Sequence, residues 1–342
     1  MNRLTPDGAP VVDIHQHLWP ESLIEALRAR TESPRLRGWT LELAGEGDYD
    51  LDPRWHDAEE RAALARADGL DLALVSLSSP LGIESLAHAE AGELLDAYHE
   101  GALELPEPFG AWAAACLTDV DAGALSVELE RGFVGLQLPA TALLDGAGYE
   151  NATPLLEVLE DAGLPLMIHP GPATGTSDDQ PAWWPAMVPY VQQMHAAWFA
   201  FRVHGRPRHP RLRVCFAILA GLAPLHGERF AARAGDRRAV DPDPGDRGAD
   251  DRRAGDHHGV IDRGVVDPDV FLDVSSYGTR AVDATVRVVG IDTLVNGSDR
   301  PYADPVSLDL SPAALHAIRS ANAMRLLYPK EVFDDVAIAS PA

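Results

Sequence analysis

The stretch PVVDIHQHLWP, residues 10–20, decides how the rest of the chain is read. Its apolar opening reads as a strand buried on both faces, and it closes in Asp13-Ile14-His15-Gln16-His17. Residues two apart in an extended chain share a face, so His15 and His17 can reach one ion. Imidazole nitrogens suit zinc and similar divalent metals. Such a pair also fits two surface or core histidines, so the remaining strands have to be weighed with it.

Seven further apolar runs rich in Val, Ile, Leu and Phe follow: LDLALVSL (70–77), FGAWAAACL (109–117), FVGLQL (133–138), LPLMIH (164–169), RLRVCFAIL (211–219), VFLDVSS (270–276) and DTLVNGS (292–298). Between them lie stretches with helical spacing, clearest at 57–69, 84–105, 153–163 and 311–327. Asp57 before Glu60 and Ser311 before Pro312 read as helix starts, and Gly69 and Gly163 as helix ends. An eightfold strand and helix alternation without a Gly-x-Gly-x-x-Gly turn predicts an α/β fold of the closed (β/α)8 TIM-barrel type. At about 150 residues per domain, 342 residues suggest two domains, yet such a barrel commonly occupies 250 or more. A single barrel domain spanning 1–342 is therefore expected.

Two segments interrupt the repeat. Residues 19–56, an excursion after the first strand with the helical piece ESLIEALRAR and the mixed piece WTLELAGEGDYD, read as a lid or small cap. Residues 235–268 contain no Leu, Phe, Trp, Tyr or Met, and their nine Asp and six Arg lack helical spacing. A mobile loop is expected there. It replaces most of the helix due after the sixth strand, and a shifted reading frame would leave the same composition; resequencing the gene decides between the two.

Composition narrows the function classes. A hydrophobic fraction of 46% and a charged fraction of 24% suit a soluble globular chain. The formal charge of −25 repels phosphate backbones and anionic membrane surfaces, so the expected partner is a small-molecule substrate, with no nucleic acid and no membrane. Cys116 and Cys215 each lie in apolar runs and read as reduced thiols. The longest apolar run, Val214 to Leu225, falls short of the roughly 18 residues that span a bilayer. No apolar stretch of signal length follows Arg3, so the cytoplasm is the expected compartment. The apolar helix face at 184–201 offers a surface for a homodimer.

Barrel active sites assemble at the C-terminal strand ends, and two more strands end in chemistry. The fifth closes in Ile168-His169-Pro170 and the eighth in Gly297-Ser298-Asp299-Arg300-Pro301. A buried His or Asp there is costly unless it meets a ligand or partner. The plainer reading gives His169 a backbone carbonyl and lets Asp299 cap a turn or pair with Arg300.

VDIHQHLWP, PLMIHPGP, NGSDRP and the late ANAMRLL together resemble the amidohydrolase superfamily. The likeness runs from residue 11 to 328 and is to the amidohydrolase-related branch, which includes aminocarboxymuconate semialdehyde decarboxylase-like enzymes and several lactonases. The resemblance implies that His15, His17, His169 and Asp299 surround one divalent metal, usually zinc, with Asp299 also handling protons. One departure matters: the sixth strand of the family commonly ends in a metal-binding His, and here Ile218 aligns with it. His226, eight residues on, is the nearest substitute, and it reads equally as a helix-start residue. Gln137 leaves no counterpart to the carboxylated lysine of binuclear relatives. The resemblance therefore implies at most one metal, weakly held or absent, and leaves a metal-free lactonase-like site as an alternative.

Further candidates complete the site. Trp19, Trp183, Trp184 and Tyr277 are expected to bind the substrate: the paired tryptophans suit a wall for a planar ring or equally a loop anchor, and Tyr277 a contact for a carboxylate or leaving-group oxygen. Arg300 and Ser276 offer contacts for a carboxylate or leaving-group oxygen. His195, at helical spacing with Met194 and Trp198, reads as a packed helix residue, and His257 and His258 as solvated. The expected chemistry is hydrolysis of an ester, lactone or amide carbonyl by activated water, with Asp299 as base and His169 assisting the oxyanion or leaving group. The alternative is non-oxidative decarboxylation of an aromatic or dienoic carboxylate. A third reading, prompted by Ile218, is a binding or subunit protein with impaired catalysis.

Overall fold

The computed structural model describes residues 8–174, 180–236 and 267–328. Eight parallel strands form its centre: β1 (Val12–Gln16), β5 (Leu72–Val75), β6 (Phe109–Ala111), β7 (Leu136–Pro139), β8 (Leu166–His169), β9 (Val214–Phe216), β10 (Val270–Asp273) and β11 (Leu294–Val295). They fall into two hydrogen-bonded runs, β1-β5-β6 and β7-β8-β9-β10-β11. Backbone bonds join the runs at both seams. Ala113 N–H donates to Gly135 O at 2.9 Å and Gln137 N–H to Ala113 O at 2.8 Å, while Ile14 N–H donates to Asn296 O and Asp299 N–H to His15 O, each at 2.9 Å. The ring is thereby complete, and the chain is a (β/α)8 barrel.

All eight apolar runs of the sequence contribute one strand each, shorter than the run because the C-terminal residues turn into the loops that build the mouth. The helices α2 (Ala58–Ala67), α3 (His88–Leu103), α4 (Ala122–Arg131), α5 (Gly146–Ala162) and α9 (Thr279–Val289) belong to the outer ring. Asp57 caps α2 by accepting from Glu60 N–H at 2.9 Å, and Gly163 ends α5 in left-handed backbone. Helical spacing missed α4, which Asp121 caps through Ala124 N–H at 3.0 Å. The stretch 311–327 is interrupted: α10 (Pro312–His316) and α11 (Asn322–Leu327) flank a wider turn at Ala317–Ala321. Ser311 caps α10 through Ala314 N–H at 3.3 Å.

The excursion after β1 holds α1 (Glu21–Ala29) and a small antiparallel sheet of β2 (Arg35–Arg37), β3 (Thr40–Glu42) and β4 (Tyr49–Asp50). Its two ends meet at its base. Trp19 and His56 stack with ring centroids 4.5 Å apart, and Trp19 N–H donates to His56 Nδ1 at 3.0 Å. Burial, helped by Arg61, pushes the His56 imidazole down to about 3, which keeps that nitrogen an acceptor.

After β9 the chain makes a turn and enters α8 (Gly227–Asp236), so the expected loop starts inside a helix at residue 235. Residues 237–266, with His257 and His258, lie outside the described residues. Among the described residues no helix is long and apolar enough to cross a membrane.

Gly135 marks how tightly the β6–β7 seam is built. A Cβ there would stand 2.3 Å from Pro165 O and 2.9 Å from the Trp112 ring. Because a backbone carbonyl cannot swing aside, Gly135→Ala is expected to destabilise the barrel by about 1–3 kcal/mol, the usual range for overpacking. Thermal unfolding of the two proteins side by side checks this, and an unchanged Tm contradicts it.

Candidate metal centre and active site

His15 and His17 come from β1 and the residue after it, His169 ends β8, and Asp299 lies four residues past the end of β11. All four meet at the C-terminal mouth. The three imidazoles pack edge to face with ring centroids 4.9–5.0 Å apart, and one ligand atom from each of the four residues lies within 4.8 Å of the others. His15 Nε2 stands 3.1 Å from His17 Nε2, and Asp299 Oδ1 stands 3.5 Å from the former and 3.3 Å from the latter.

The outward hydrogen bonds decide which nitrogens face inward. His15 Nδ1 is 2.7 Å from Asp273 Oδ2, His17 Nδ1 is 3.1 Å from Ser76 O, and His169 Nδ1 is 2.8 Å from Pro170 O. A carboxylate and two carbonyls only accept, so each Nδ1 carries a hydrogen, and Nε2 of each ring points into the cluster, where it offers a lone pair once it holds no proton of its own. Three imidazole nitrogens and a carboxylate in a buried mouth make a set that could hold a cation among them. Burial pushes His15 down, but Asp273, Asp299 and Asp13 outweigh it and hold the imidazolium at about 9. Burial holds His17 below its ordinary value and His169 well below. The set of three nitrogens and one oxygen fits a single divalent ion, with acceptors behind the imidazoles orienting them as such ligands require.

A second layer fixes these groups. Asp13 Oδ1 accepts from His15 N–H and from Ser298 N–H, both at 3.1 Å, and its Oδ2 accepts from Gln16 Nε2 at 2.9 Å. The buried Arg61 donates to Gln16 Oε1 at 2.7 Å and to His17 O at 3.0 Å. Gly297 leaves the room that Asp273 and His15 occupy: a Cβ would stand 2.1 Å from Asp273 Oδ1 and 2.8 Å from His15 Cβ. Asp299 takes left-handed backbone, φ +62°, at the turn that aims its carboxylate at the imidazoles.

Above the cluster opens a cavity of about 440 Å3. His17, His169 and Asp299 contribute to its lining, as do Trp19 and Tyr277. Trp19 is locked by its indole N–H on Ser78 Oγ at 3.0 Å. Trp183 and Trp184 are not part of the lining; Trp183 is 58% exposed, and the neighbouring Ala182, Pro185 and Met187 face the space instead. Arg300 also departs from its expected place. Its guanidinium donates to Asp68 Oδ2 at 2.9 Å and does not line the cavity. Ser276 Oγ approaches Asp299 Oδ2 at 3.5 Å.

Ile218 lines the cavity in the first of five consecutive left-handed residues, 218–222, with φ from +45° to +60°. His226 is carried away to the surface, where its ring meets that of His195 at 5.0 Å, so it does not complete the cluster. His195 packs on Phe199 within α7 (Pro189–Ala200). Gln137 is buried and donates through Nε2 to Leu77 O at 2.5 Å and Ser79 Oγ at 2.9 Å. Sequence reasoning passed over Asp13, Asp273, Glu46, Tyr190 and Tyr302. Asp273 gave the clearest signal, an Asp inside the apolar run VFLDVSS.

A model of the amidohydrolase family matches residues 12–328. The chain belongs to that family. No curated protein sequence matches this amidohydrolase. Among solved structures it resembles Metarhizium anisopliae IDCase in apo form, with 18% identity and a TM-score of 0.70 over 93% of this chain and 97% of that one. It also resembles 5-carboxyvanillate decarboxylase LigW from Sphingomonas paucimobilis, with 16% identity and a TM-score of 0.69 over 93% and 99%. A third is 2,6-dihydroxybenzoate decarboxylase from Rhizobium, with 18% identity and a TM-score of 0.63 over 93% and 98%. At such identities the likeness speaks for the barrel fold. The family and the four converging groups together make the mouth of this amidohydrolase a divalent-metal site.

Asp273→Asn is expected to weaken metal binding by about 10–100-fold, because His15 loses the carboxylate that orients it. Chelator competition on the folded variant measures this, and an unchanged dissociation constant contradicts it.

Proposed function

We propose that the chain is a metal-dependent carboxy-lyase that removes carbon dioxide, without oxidation, from an aromatic or conjugated carboxylate. The observation that carries this is the placement of Asp299. Of the cluster members that line the cavity it is the most open, its side chain 19% exposed while those of His15 and His17 are 0–1% exposed. The space it faces is walled largely by aromatic and apolar side chains. The resemblance to 5-carboxyvanillate and 2,6-dihydroxybenzoate decarboxylases supports the same choice.

The residues divide the work. His15, His17, His169 and Asp299 through Oδ1 would hold the ion. Zinc suits the donor set, and a similar 5-carboxyvanillate decarboxylase from Novosphingobium aromaticivorans carries bound manganese. A divalent ion there supplies positive charge for the substrate carboxylate and for the electron density left on carbon as carbon dioxide departs. Asp299 supplies the proton from Oδ2, the oxygen turned away from the imidazoles towards Ser276. The bond to the carboxylate carbon breaks, its electron pair stays on the ring or chain carbon, and the Asp299 proton completes the new C–H bond. Solvent then reprotonates Asp299. Trp19, rigid on Ser78, gives a planar substrate a flat wall, and Tyr277 lies along the same cavity.

Hydrolysis is the second reading. Among the described residues no Lys or Arg lines the cavity, which suits a neutral ester or lactone, and Asp299 would then act as base. The binding-protein alternative loses its motive, since the four groups converge without a sixth-strand ligand.

Elemental analysis of the purified protein is expected to return one equivalent of zinc or manganese. Carbon dioxide release from a panel of aromatic carboxylates under anaerobic conditions is then expected to fall by about 10²–10⁴ in Asp299→Asn, the usual loss for a general acid. Ester or lactone turnover without carbon dioxide release reverses the order of the two readings.

A further inference from the structure

The far wall of the cavity has spent its hydrogens. Glu46, in the excursion between β3 and β4, accepts from Tyr49 OH at 2.6 Å through Oε2, and through Oε1 from Tyr190 OH at 2.9 Å and Ala173 N–H at 3.1 Å. Glu46, Tyr49 and Tyr190 all line the cavity. Both phenol hydrogens are committed to the carboxylate, so the two hydroxyls present only lone pairs to a ligand, and the carboxylate is an acceptor throughout. Asp50 lines the same space and adds a second negative charge.

Among the described residues no guanidinium or ammonium in the lining offsets these charges. No Lys or Arg lines the cavity among the described residues, and the chain has one lysine in all, Lys330. The buried guanidinium of Arg61 is occupied by Gln16, His17 O and Trp55 O.

We infer that Glu46, with Tyr49 and Tyr190, is a specificity-determining subsite that selects ligands whose end remote from the metal centre is a hydrogen-bond donor. An ammonium, amidinium or hydroxyl group fits there, and a second carboxylate or a phosphate is rejected. The inference rests on the decarboxylase reading for the anchored end of the ligand, a single carboxylate at the metal centre. The substrate class is therefore an amino- or hydroxy-substituted monocarboxylate, not a dicarboxylate.

Titration calorimetry on the metal-loaded protein tests it with benzoate, meta- and para-aminomethylbenzoate, and the two matching benzene dicarboxylates. At least one aminomethyl isomer is expected to bind about tenfold tighter than benzoate, and both dicarboxylates about tenfold weaker. In Glu46→Gln, which is isosteric but neutral, the ammonium preference is expected to shrink at least about tenfold, with benzoate affinity held within about twofold. Tyr190→Phe keeps the carboxylate and frees one of its lone pairs, so it should retain or increase the preference. Equal binding of ammonium and dicarboxylate probes overturns the inference, as does a full preference surviving in Glu46→Gln or one abolished in Tyr190→Phe. The same series built on benzohydroxamate separates the two readings. If the carboxylates fail to bind while the hydroxamates keep the order, the decarboxylase reading falls and the subsite stands; if benzoate binds and the order is flat, the subsite falls alone.

Discussion

Three imidazoles can share one ion at a barrel mouth only if each turns a lone pair inward, and that constraint organises the rest of the molecule. It demands an outward N–H on every ring and an acceptor to receive it, and those acceptors come from three places: Asp273 on β10, Ser76 O after β5 and Pro170 O after β8. Barrel closure and site assembly are the same event. His15 O accepts Ser298 N–H and Asp299 N–H, and Asp13 clamps Ser298 N–H again, so the bonds that close β11 onto β1 also set Asp299 against the histidines. An opened seam would cost both closure and the site.

The same constraint explains the charge pattern. A chain of formal charge −25 keeps its buried guanidinium behind the metal-binding strand and leaves the cavity lining without a base among the described residues. Beyond the His15 imidazolium, positive charge at the mouth would come from an ion held by the cluster. Beside largely apolar walls such an ion would act at a lower effective dielectric than in solution. Burial of Asp13 raises its carboxyl, and its three accepted hydrogen bonds work the other way.

What the sequence disclosed and what it hid divide along a physical line. Strand ends project side chains into one mouth at fixed periodicity, so His15, His17, His169 and Asp299 were readable from position alone, before any contact was known. His169 satisfied both of its readings at once, bonding a carbonyl through one nitrogen and facing the cluster with the other. Arg300 was misjudged because adjacency in the chain says nothing across a left-handed residue: the turn at Asp299 sends the next side chain to Asp68. Trp183 and Trp184 failed for a related reason, since a loop rich in proline fixes no face. Glu46 and Tyr190 belong to the excursion and to α7, elements with no register to one another until the fold brings them together.

The end of the sixth strand shows how packing can fix a backbone independently of the side chain it presents. Ile218, Leu219, Ala220 and Leu222 all hold positive φ, a conformation that costs a non-glycine residue about 1–2 kcal/mol. The run persists because its surroundings determine it: Leu219 and Ala220 are fully buried, and Gly221 runs so close to α7 that a Cβ would meet Val191 O at 2.5 Å. The backbone is therefore retained for packing whatever side chain it presents. The four groups of the cluster converge without a donor at Ile218, and its aliphatic side chain serves as part of the cavity wall. An apolar wall lowers the effective dielectric beside the groups that carry charge.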